Sequence, residues 1–416
     1  MNEIIKQRID VIRQGKVPEG YKRRGKSVLP EEWEISDFEK LGLIESGLVD
    51  PTKEPYLSMQ HIGPDCIEKD TGRILGTRSS AELGLISGKF HFDSDSIVYS
   101  KIRPNLNKVC SPDFEGICSA DCYAIKPRDD MDKSYLFKLM LSFPFYKQAV
   151  SCSMRTGMPK INQDDLNAIS LIHSPRMEEQ QKIAEILIVQ DKIIKLKEKR
   201  VAEKQRQKKY LMQQLLTGKK RLKGFSGEWV TRELGSVFSE RVETNCDNLE
   251  LLAITGTKGV VPRTELDLKD NSSEDKSKYL RICIGDIGYN TMRMWQGVSA
   301  YSNHEGIVSP AYTILKPKSS VNAKYFAYLF KLPEIVFLFY RFSQGLVDDT
   351  RNLKYSNFKK IRVNFPKDVN EQYAIAEVLS TADDEISLLQ KELEQEKLKK
   401  KALMQLLLTG IVRVSA

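Results

Sequence analysis

The chain has 416 residues, 41% of them hydrophobic, and a formal net charge of +9. That is enough apolar material for packed cores in two or three domains. No apolar run reaches the roughly 18 residues needed to span a bilayer, and the charged opening MNEIIKQRIDVIRQGK is unlike a secretory signal. Seven scattered cysteines fit a reducing compartment, so a cytoplasmic protein without membrane contact is expected. The positive balance permits nucleic-acid binding without establishing it.

In chain order, residues 1–28 form a lead-in, with a helix expected around Ile4–Gln14 and ending at Gly15. Residues 29–175 open on Leu29-Pro30-Glu31-Glu32-Trp33 and carry short strand-like runs. Examples are Ser96-Ile97-Val98-Tyr99-Ser100 and the stretch from Gly116-Ile117-Cys118 through Tyr123-Ala124-Ile125, read as one strand with Cys118 and Cys122 on the same face. In 176–220 comes a long helix in which Ile183, Leu187, Ile194 and Val201 keep a coiled-coil spacing, with Gln190 and Lys197 at the alternate positions. Residues 221–366 reopen on Gly227-Glu228-Trp229, with runs at Asp286-Ile287-Gly288-Tyr289-Asn290 and from Gly306-Ile307-Val308 through Tyr312-Thr313-Ile314. In 367–416 a second helix has Ile375, Leu379, Ala382, Ile386, Leu389 and Leu393 on its seam. Each helix of about 35 residues would be roughly 50 Å long, and Gly218 and Gly410 stand where C-terminal caps belong.

The organisation is therefore a repeat. EQQKIAEIL…KKYLMQQLLTG, from Glu179 to Gly218, recurs without a gap 192 residues later as EQYAIAEVL…KKKALMQLLLTG, from Glu371 to Gly410. Weaker echoes run through the globular parts, such as Glu115-Gly116-Ile117 with Glu305-Gly306-Ile307, whereas 43–95 and 240–285 share almost nothing. The first helical region, 176–220, holds thirteen Lys/Arg against six Asp/Glu; 367–412 holds six against nine. A basic helix beside an acidic one favours mutual pairing, which would close the chain into a ring.

Catalytic signatures are missing. There is no Gly-x-Gly-x-x-Gly, no Walker A run and no Asn/Asp-Pro-Pro-aromatic methyltransferase motif. Pro64-Asp65 and Pro112-Asp113 lack the acidic-x-Lys partner of a nuclease. Cys118 and Cys122, with Asp121 between, have no partner pair at zinc spacing, and His61, His91, His173 and His304 are isolated. A non-catalytic chain with no metal and no cofactor of its own is expected.

Basic, amide-rich loops are more informative. Lys101-Ile102-Arg103-Pro104-Asn105-Leu106-Asn107-Lys108 follows a strand-like run, and Asn290-Thr291-Met292-Arg293-Met294-Trp295-Gln296 occupies the matching place in the second half, with Arg103 and Arg293 in register. Arg, Asn and Gln can bond base edges in pairs, while Lys and further Arg suit phosphates. The candidate DNA-binding residues are thus Lys101, Arg103, Asn105, Asn107, Lys108, Thr291, Arg293 and Gln296. Arg78, Arg155, Lys258, Arg263, Arg351 and Asn352 are secondary, and taken singly such loops are usually just solvated.

Several motifs occur in a fixed order: Pro30-x-x-Trp33, Ser100-Lys101-Ile102-Arg103-Pro104-Asn105, Gly157-x-Pro159-x-Ile161, Glu179-Gln180-x-x-Ile183-Ala184 and Leu215-Leu216-Thr217-Gly218, then Gly227-x-Trp229, Glu371-Gln372 and Leu407-Leu408-Thr409-Gly410. In that order the chain resembles the specificity subunit of type I restriction–modification systems over essentially its whole length. The resemblance implies a mixed α/β (α+β) fold with two similar target recognition domains, separated and bridged by two long antiparallel helices in a pseudo-two-fold cyclic arrangement. It implies that each domain reads one half of a bipartite, asymmetric double-stranded DNA site while the helices set the spacer. The implied partners are two modification (methyltransferase) subunits, which bring S-adenosylmethionine, and restriction subunits, which bring ATP and Mg. Two alternatives remain open: a coiled-coil scaffold that reads no DNA, and a specificity subunit of a methylation-only or other phage-defence assembly. The halves differ in two ways. Relative to Leu234-Gly235, three extra residues separate Trp33 from Leu41-Gly42, and Gly157-x-Pro159 has no evident counterpart near Gln344-Gly345-Leu346.

Overall fold

The computed structural model describes residues 3–153, 159–256, 258–266 and 275–414. It divides into two compact units, 1–197 with 392–416 and 198–391, so each globular part holds a portion of both long helices.

In the first unit a four-stranded antiparallel sheet has the order Val109–Cys110, Ile97–Ser100, Cys122–Pro127, Gly42–Ile44. Its central strand Ile97–Ser100 is buried on both faces. The two-residue period of a strand sends Ile97 and Tyr99 into the main core and Val98 into a second core with Ile62, Phe92, Cys110, Cys118 and Cys122. That second core lies against a five-stranded sheet formed by Leu48–Val49, Lys89–Phe92, Gly116–Cys118, Gln60–Ile62 and Arg78–Ser79. The run around Cys118 and Cys122 is not one strand: a turn closed by Cys122 N–H to the Ser119 carbonyl splits it between two sheets. Both thiols are buried, and burial pushes the Cys118 thiol up to about 12. Among the described residues no group of His, Cys, Asp or Glu could hold a metal ion, and no helix is long and apolar enough to cross a membrane.

The second unit repeats this frame. Its four-stranded sheet has the order Phe238–Arg241, Tyr312–Pro317, Ile287–Asn290, Ser299–Tyr301. Ile287 and Tyr289 enter the main core, and Gly288 lets the second core close on the strand, because a Cβ there would lie 2.2 Å from Ile254 Cδ1. Helix Lys133–Met140 is capped by Asp132, whose side chain accepts Tyr135 N–H; in the other unit Asn322 accepts Tyr325 N–H at the head of Ala323–Leu329. The three extra residues expected after Trp33 do not exist. Phe38 N–H bonds Ile169 O as Leu234 N–H bonds Ile361 O, both at 2.8 Å. Gly42 pairs with Pro127 as Phe238 pairs with Pro317. Phe38 is therefore the counterpart of Leu234, and the shared Leu-Gly dipeptide is a coincidence of letters.

Both long helices, Met177–Leu215 and Val369–Leu407, have 39 residues. Most seam positions are buried, with Ala382 and Leu393 only partly so. Their roles differ from a plain coiled coil. Ile183 and Leu187 join Leu407 and Leu408 inside the first main core, as Ile375 and Leu379 join Leu215 and Leu216 inside the second. In the first unit the polar seam residues reach across the antiparallel pair, Gln190 to Glu396 at 2.8 Å and Lys197 to Glu392 at 2.8 Å. In the second, Lys204 and Lys208 meet Glu385 and Asp383.

The strictly repeated residues build the joint between helices and globular part, once in each unit. Glu179, with its side chain 1% exposed, accepts from Arg413 Nε at 2.5 Å, Ser174 Oγ at 2.6 Å and Trp33 Nε1 at 3.0 Å. Burial pushes its carboxyl up, but these donors outweigh burial and hold it below the ordinary value. Glu371 receives Arg221 Nε at 2.5 Å and Nη2 at 2.6 Å. Next to each glutamate, Gln180 accepts Asp132 N–H and donates to Asp130 and Ser174 carbonyls, while Gln372 accepts Asn322 N–H and donates to Pro366 O. Farther along, Asp191 binds Lys138 and Lys400, and Asp383 binds Tyr328 and Lys208. Gly410 and Gly218, both at φ +72°, make room for Trp33 and Trp229; a Cβ on Gly410 would lie 3.1 Å from the Trp33 ring. The first helix of the chain, Glu3–Arg13, adds Arg8 Nη1 to Ile411 O at 2.7 Å, and Tyr21 OH bonds Gly410 O.

Candidate nucleic-acid interface

The two basic loops are one backbone design. Each leaves a buried strand and returns on a rung, Ser100 N–H to Lys108 O and Asn290 N–H to Val298 O. Each holds a single 3-10 turn, Pro104–Leu106 or Met294–Gln296, closed by a residue in the left-handed region, Asn107 at φ +43° or Gly297 at φ +79°. Lys101 N–H bonds Asp121 O, and Thr291 N–H bonds Ala311 O. A further strand-like segment crosses each loop, with Ile161 N–H donating to Lys101 O and Leu353 N–H to Thr291 O. Leu353 is thus the counterpart of Ile161, while Gly157 lies outside the described residues.

On this frame the side chains diverge. Arg103 and Arg293 are both exposed at the head of the 3-10 turn, and neither is engaged by a described side chain. Arg103 sits at φ +50°, uncommon for a residue with a Cβ, and is held there by its N–H on Pro159 O at 2.8 Å. Asn105 and Gln296 are exposed beside them. The amine of Lys101 lies over the rings of Tyr123 at 5.1 Å and Phe90 at 5.9 Å; burial and then Lys160 lower its pKa.

Other candidates are occupied within the protein. Asn107 is buried, with Nδ2 on Leu141 O at 3.5 Å, so it cannot meet a base; the left-handed backbone accounts for an asparagine there. The Lys108 amine bonds Pro64 O at 2.5 Å, and Thr291 Oγ1 meets Thr313 Oγ1 at 3.1 Å. Arg351 is pinned by Asp348 at 2.8 Å and by Tyr340, whose ring its guanidinium covers at 4.0 Å. Asn352 is half-buried and bridges back to Gln344. Lys258 is exposed in the turn between Leu252–Thr255 and Gly259–Pro262; Arg263 follows that hairpin. Arg78 stands on an edge strand beside the Ser79 capping box, with no hydrogen bond to the 101–108 loop. Arg155 lies outside the described residues.

Sequence reasoning missed Lys160, joined to the first loop through the Ile102–Lys160 bridge. It also missed an aromatic row in which half-buried Trp295, two residues from Arg293, meets exposed Tyr340 and Phe337. Their spacing in a mostly apolar helix, Pro333–Phe342, reads as core.

The chain matches the family model described as the type I restriction modification DNA specificity domain twice, over residues 30–224 and 226–398. It is 38% identical over 155 residues to the type I restriction enzyme EcoDI specificity subunit of Escherichia coli, a match spanning 37% of this chain but only 34% of that protein. A full-length likeness, 23% identical over 440 residues, links it to the putative type I restriction enzyme MjaX specificity subunit of Methanocaldococcus jannaschii, covering 95% of this chain and 97% of that one. The crystal structure of the type I restriction-modification S subunit from M. genitalium shares the fold, with a TM-score of 0.57 at 14% identity over 93% of this chain and 98% of the other.

Proposed function

The chain belongs to the family of type I restriction modification DNA specificity domains, and we propose that it is the DNA-reading subunit of such a complex. One observation carries the reading. The same loop frame occurs once in each unit, carries one exposed arginine at the same register position, in the left-handed region at Arg103 and at φ −127° at Arg293, and is surrounded by different side chains. Two equivalent platforms with unlike surfaces suit a bipartite, asymmetric double-stranded site, one half-site per unit. Arg103 with Asn105, and Arg293 with Gln296, supply donors for base edges; Lys101, Lys160 and Lys258 supply charge for phosphates.

The long helices set the spacer and carry the modification subunits. In support, an exposed leucine stands at the same repeat position of each, Leu196 at 65% and Leu388 at 59%. Two such sites fit two copies of one partner. S-adenosylmethionine then belongs to the modification subunits, ATP and Mg to restriction subunits, and this chain contributes no catalytic group.

The test is competition between the cognate duplex, found by sequencing the methylome of a host expressing the chain with its modification subunit, and a scrambled duplex. A preference above about a hundredfold, with affinity falling steeply as salt rises, supports the reading; no preference leaves only a scaffold.

A further inference from the structure

Each reading loop is tied down at its closing end, and the two units do this with opposite partners. In the first unit the loop supplies the side chain: Asn107 Nδ2 donates to the carbonyl of Leu141, in the turn between helices Lys133–Met140 and Phe143–Ser153. In the second unit the residue at that place in the loop is Gly297, which has no side chain. The turn then supplies it instead: Lys331, the counterpart of Leu141, donates to Gly297 O at 2.8 Å and Ser299 O at 2.5 Å. The alignment is independent of these side chains, since Asn107 N–H and Gly297 N–H make the same 3-10 bond, to Pro104 O and Met294 O. In both units the following helix packs on the 3-10 turn.

We propose that Asn107 and Lys331 are positioning residues for half-site discrimination, two chemically different forms of one latch that hold Arg103 and Arg293 in place. The proposal rests on the functional reading above. A loop that carries a base-reading arginine must be held to a fraction of an ångström. Main-chain bonds fix the start of each loop, at Lys101 and Thr291. The closing end is held to its own strand by the Ser100–Lys108 and Asn290–Val298 rungs, but its left-handed residue makes no main-chain bond across to the turn between the helices, so the side-chain bond supplies that restraint. Neither residue touches DNA in this scheme; each acts through the backbone it ties. Lys331 fits such a role because its amine faces carbonyls rather than a carboxylate, with Lys208 as its charged neighbour.

The test uses the complex with its modification subunits and measures methyl transfer on cognate duplexes and on duplexes with one base pair changed in either half-site. Asn107→Gly keeps the left-handed backbone and removes only the latch. It should reduce discrimination about tenfold at one half-site and leave the other unchanged; Lys331→Leu should do the converse. The decisive variant is Asn107→Gly with Leu141→Lys, which installs the second unit's arrangement in the first and should restore discrimination together with hydrogen-exchange protection of 101–110. Unaltered discrimination in both single variants overturns the proposal, as does a double variant that regains protection without discrimination. Should Arg103→Ala and Arg293→Ala themselves fail to act on separate half-sites, the functional reading falls first; should they succeed while the latch variants do nothing, only the latch falls.

Discussion

Removing one arginine from each joint should damage the two units unequally, and the structure says which suffers more. In both, a glutamate with a 1% exposed side chain faces an arginine that is about three-quarters buried. Breaking such a pair from one side costs about 3–5 kcal/mol, because the remaining charge stays buried. Arg221→Met removes the guanidinium that lies over the Trp229 ring at 5.7 Å and leaves Glu371 with no hydrogen-bond donor among the described residues. Arg413→Met leaves Glu179 with Ser174 and Trp33 still donating. Hydrogen bonds to a charged group are worth roughly 1.5–3 kcal/mol each, so Arg221→Met should cost about 4 kcal/mol and Arg413→Met about 2. Hydrogen exchange on the full chain separates the two, since protection is lost around 366–376 in one variant and 174–184 in the other. Adding Glu371→Gln to Arg221→Met should recover part of the loss. Equal losses in the two units, or a double variant no better than the single, would refute the account.

Arg103→Ala should relax recognition of one half-site by about 1–3 kcal/mol, read as methylation selectivity, and Arg293→Ala the other; loss at both from either change would contradict one half-site per unit. Burial, and then Lys208, pushes the Lys331 amine down to about 8. Its depressed pKa means that protonation opposes folding: the penalty is complete below pH 8 and disappears toward the unfolded value near 10.4, so stability of the second unit should rise by up to about 3 kcal/mol over that window. Lys331→Leu should flatten the rise in urea titrations at pH 8 and pH 10. Asp191→Ala strands Lys138, whose side chain is 4% exposed, and should cost about 3 kcal/mol, whereas Asp383→Ala leaves a neutral Tyr328 and a Lys208 whose side chain is 22% exposed and reached by water, and should cost less; urea midpoints decide this. Inserting seven residues after Lys197 and seven after Lys391 keeps the seam in phase across the Lys197–Glu392 contact and should lengthen the spacer in the methylome; an unchanged spacer removes the helices as its determinant.

Much of this architecture was legible because duplication supplies its own control. The repeat placed both helices and the register of Arg103 with Arg293; their opposite charge balance pointed to mutual pairing, and the family resemblance to its antiparallel sense. It could not tell which repeated residues face inward. Glu179, Gln180 and Asp191 look like ordinary surface residues of a charged helix, and only the structure shows them reaching Arg413, Asp132 and Lys138. Asn107 illustrates the opposite failure. An asparagine in a basic loop fits base recognition, but the left-handed backbone that selects it also turns its side chain into the protein. The Leu41-Gly42 match failed for a simpler reason: two-letter identity cannot outweigh hydrogen-bond register.

The uneven fading of the repeat has a physical cause in how its copies pair. At the joints the arginines that neutralise the two buried glutamates come from opposite copies: Glu179 from the first meets Arg413 from the second, and Glu371 from the second meets Arg221 from the first. Asp191 with Lys400, and Asp383 with Lys208, cross in the same way. A change confined to one copy therefore leaves a buried charge unpaired in one unit, at a cost of several kcal/mol. The loops carry no such tie, because each is held only by residues of its own copy, as Asn107 is by Leu141 and Gly297 by Lys331. Cross-copy pairing requires the joints to stay alike, while within-copy latching lets the loops become unlike. Such a chain can acquire a new half-site on one side without disturbing either joint.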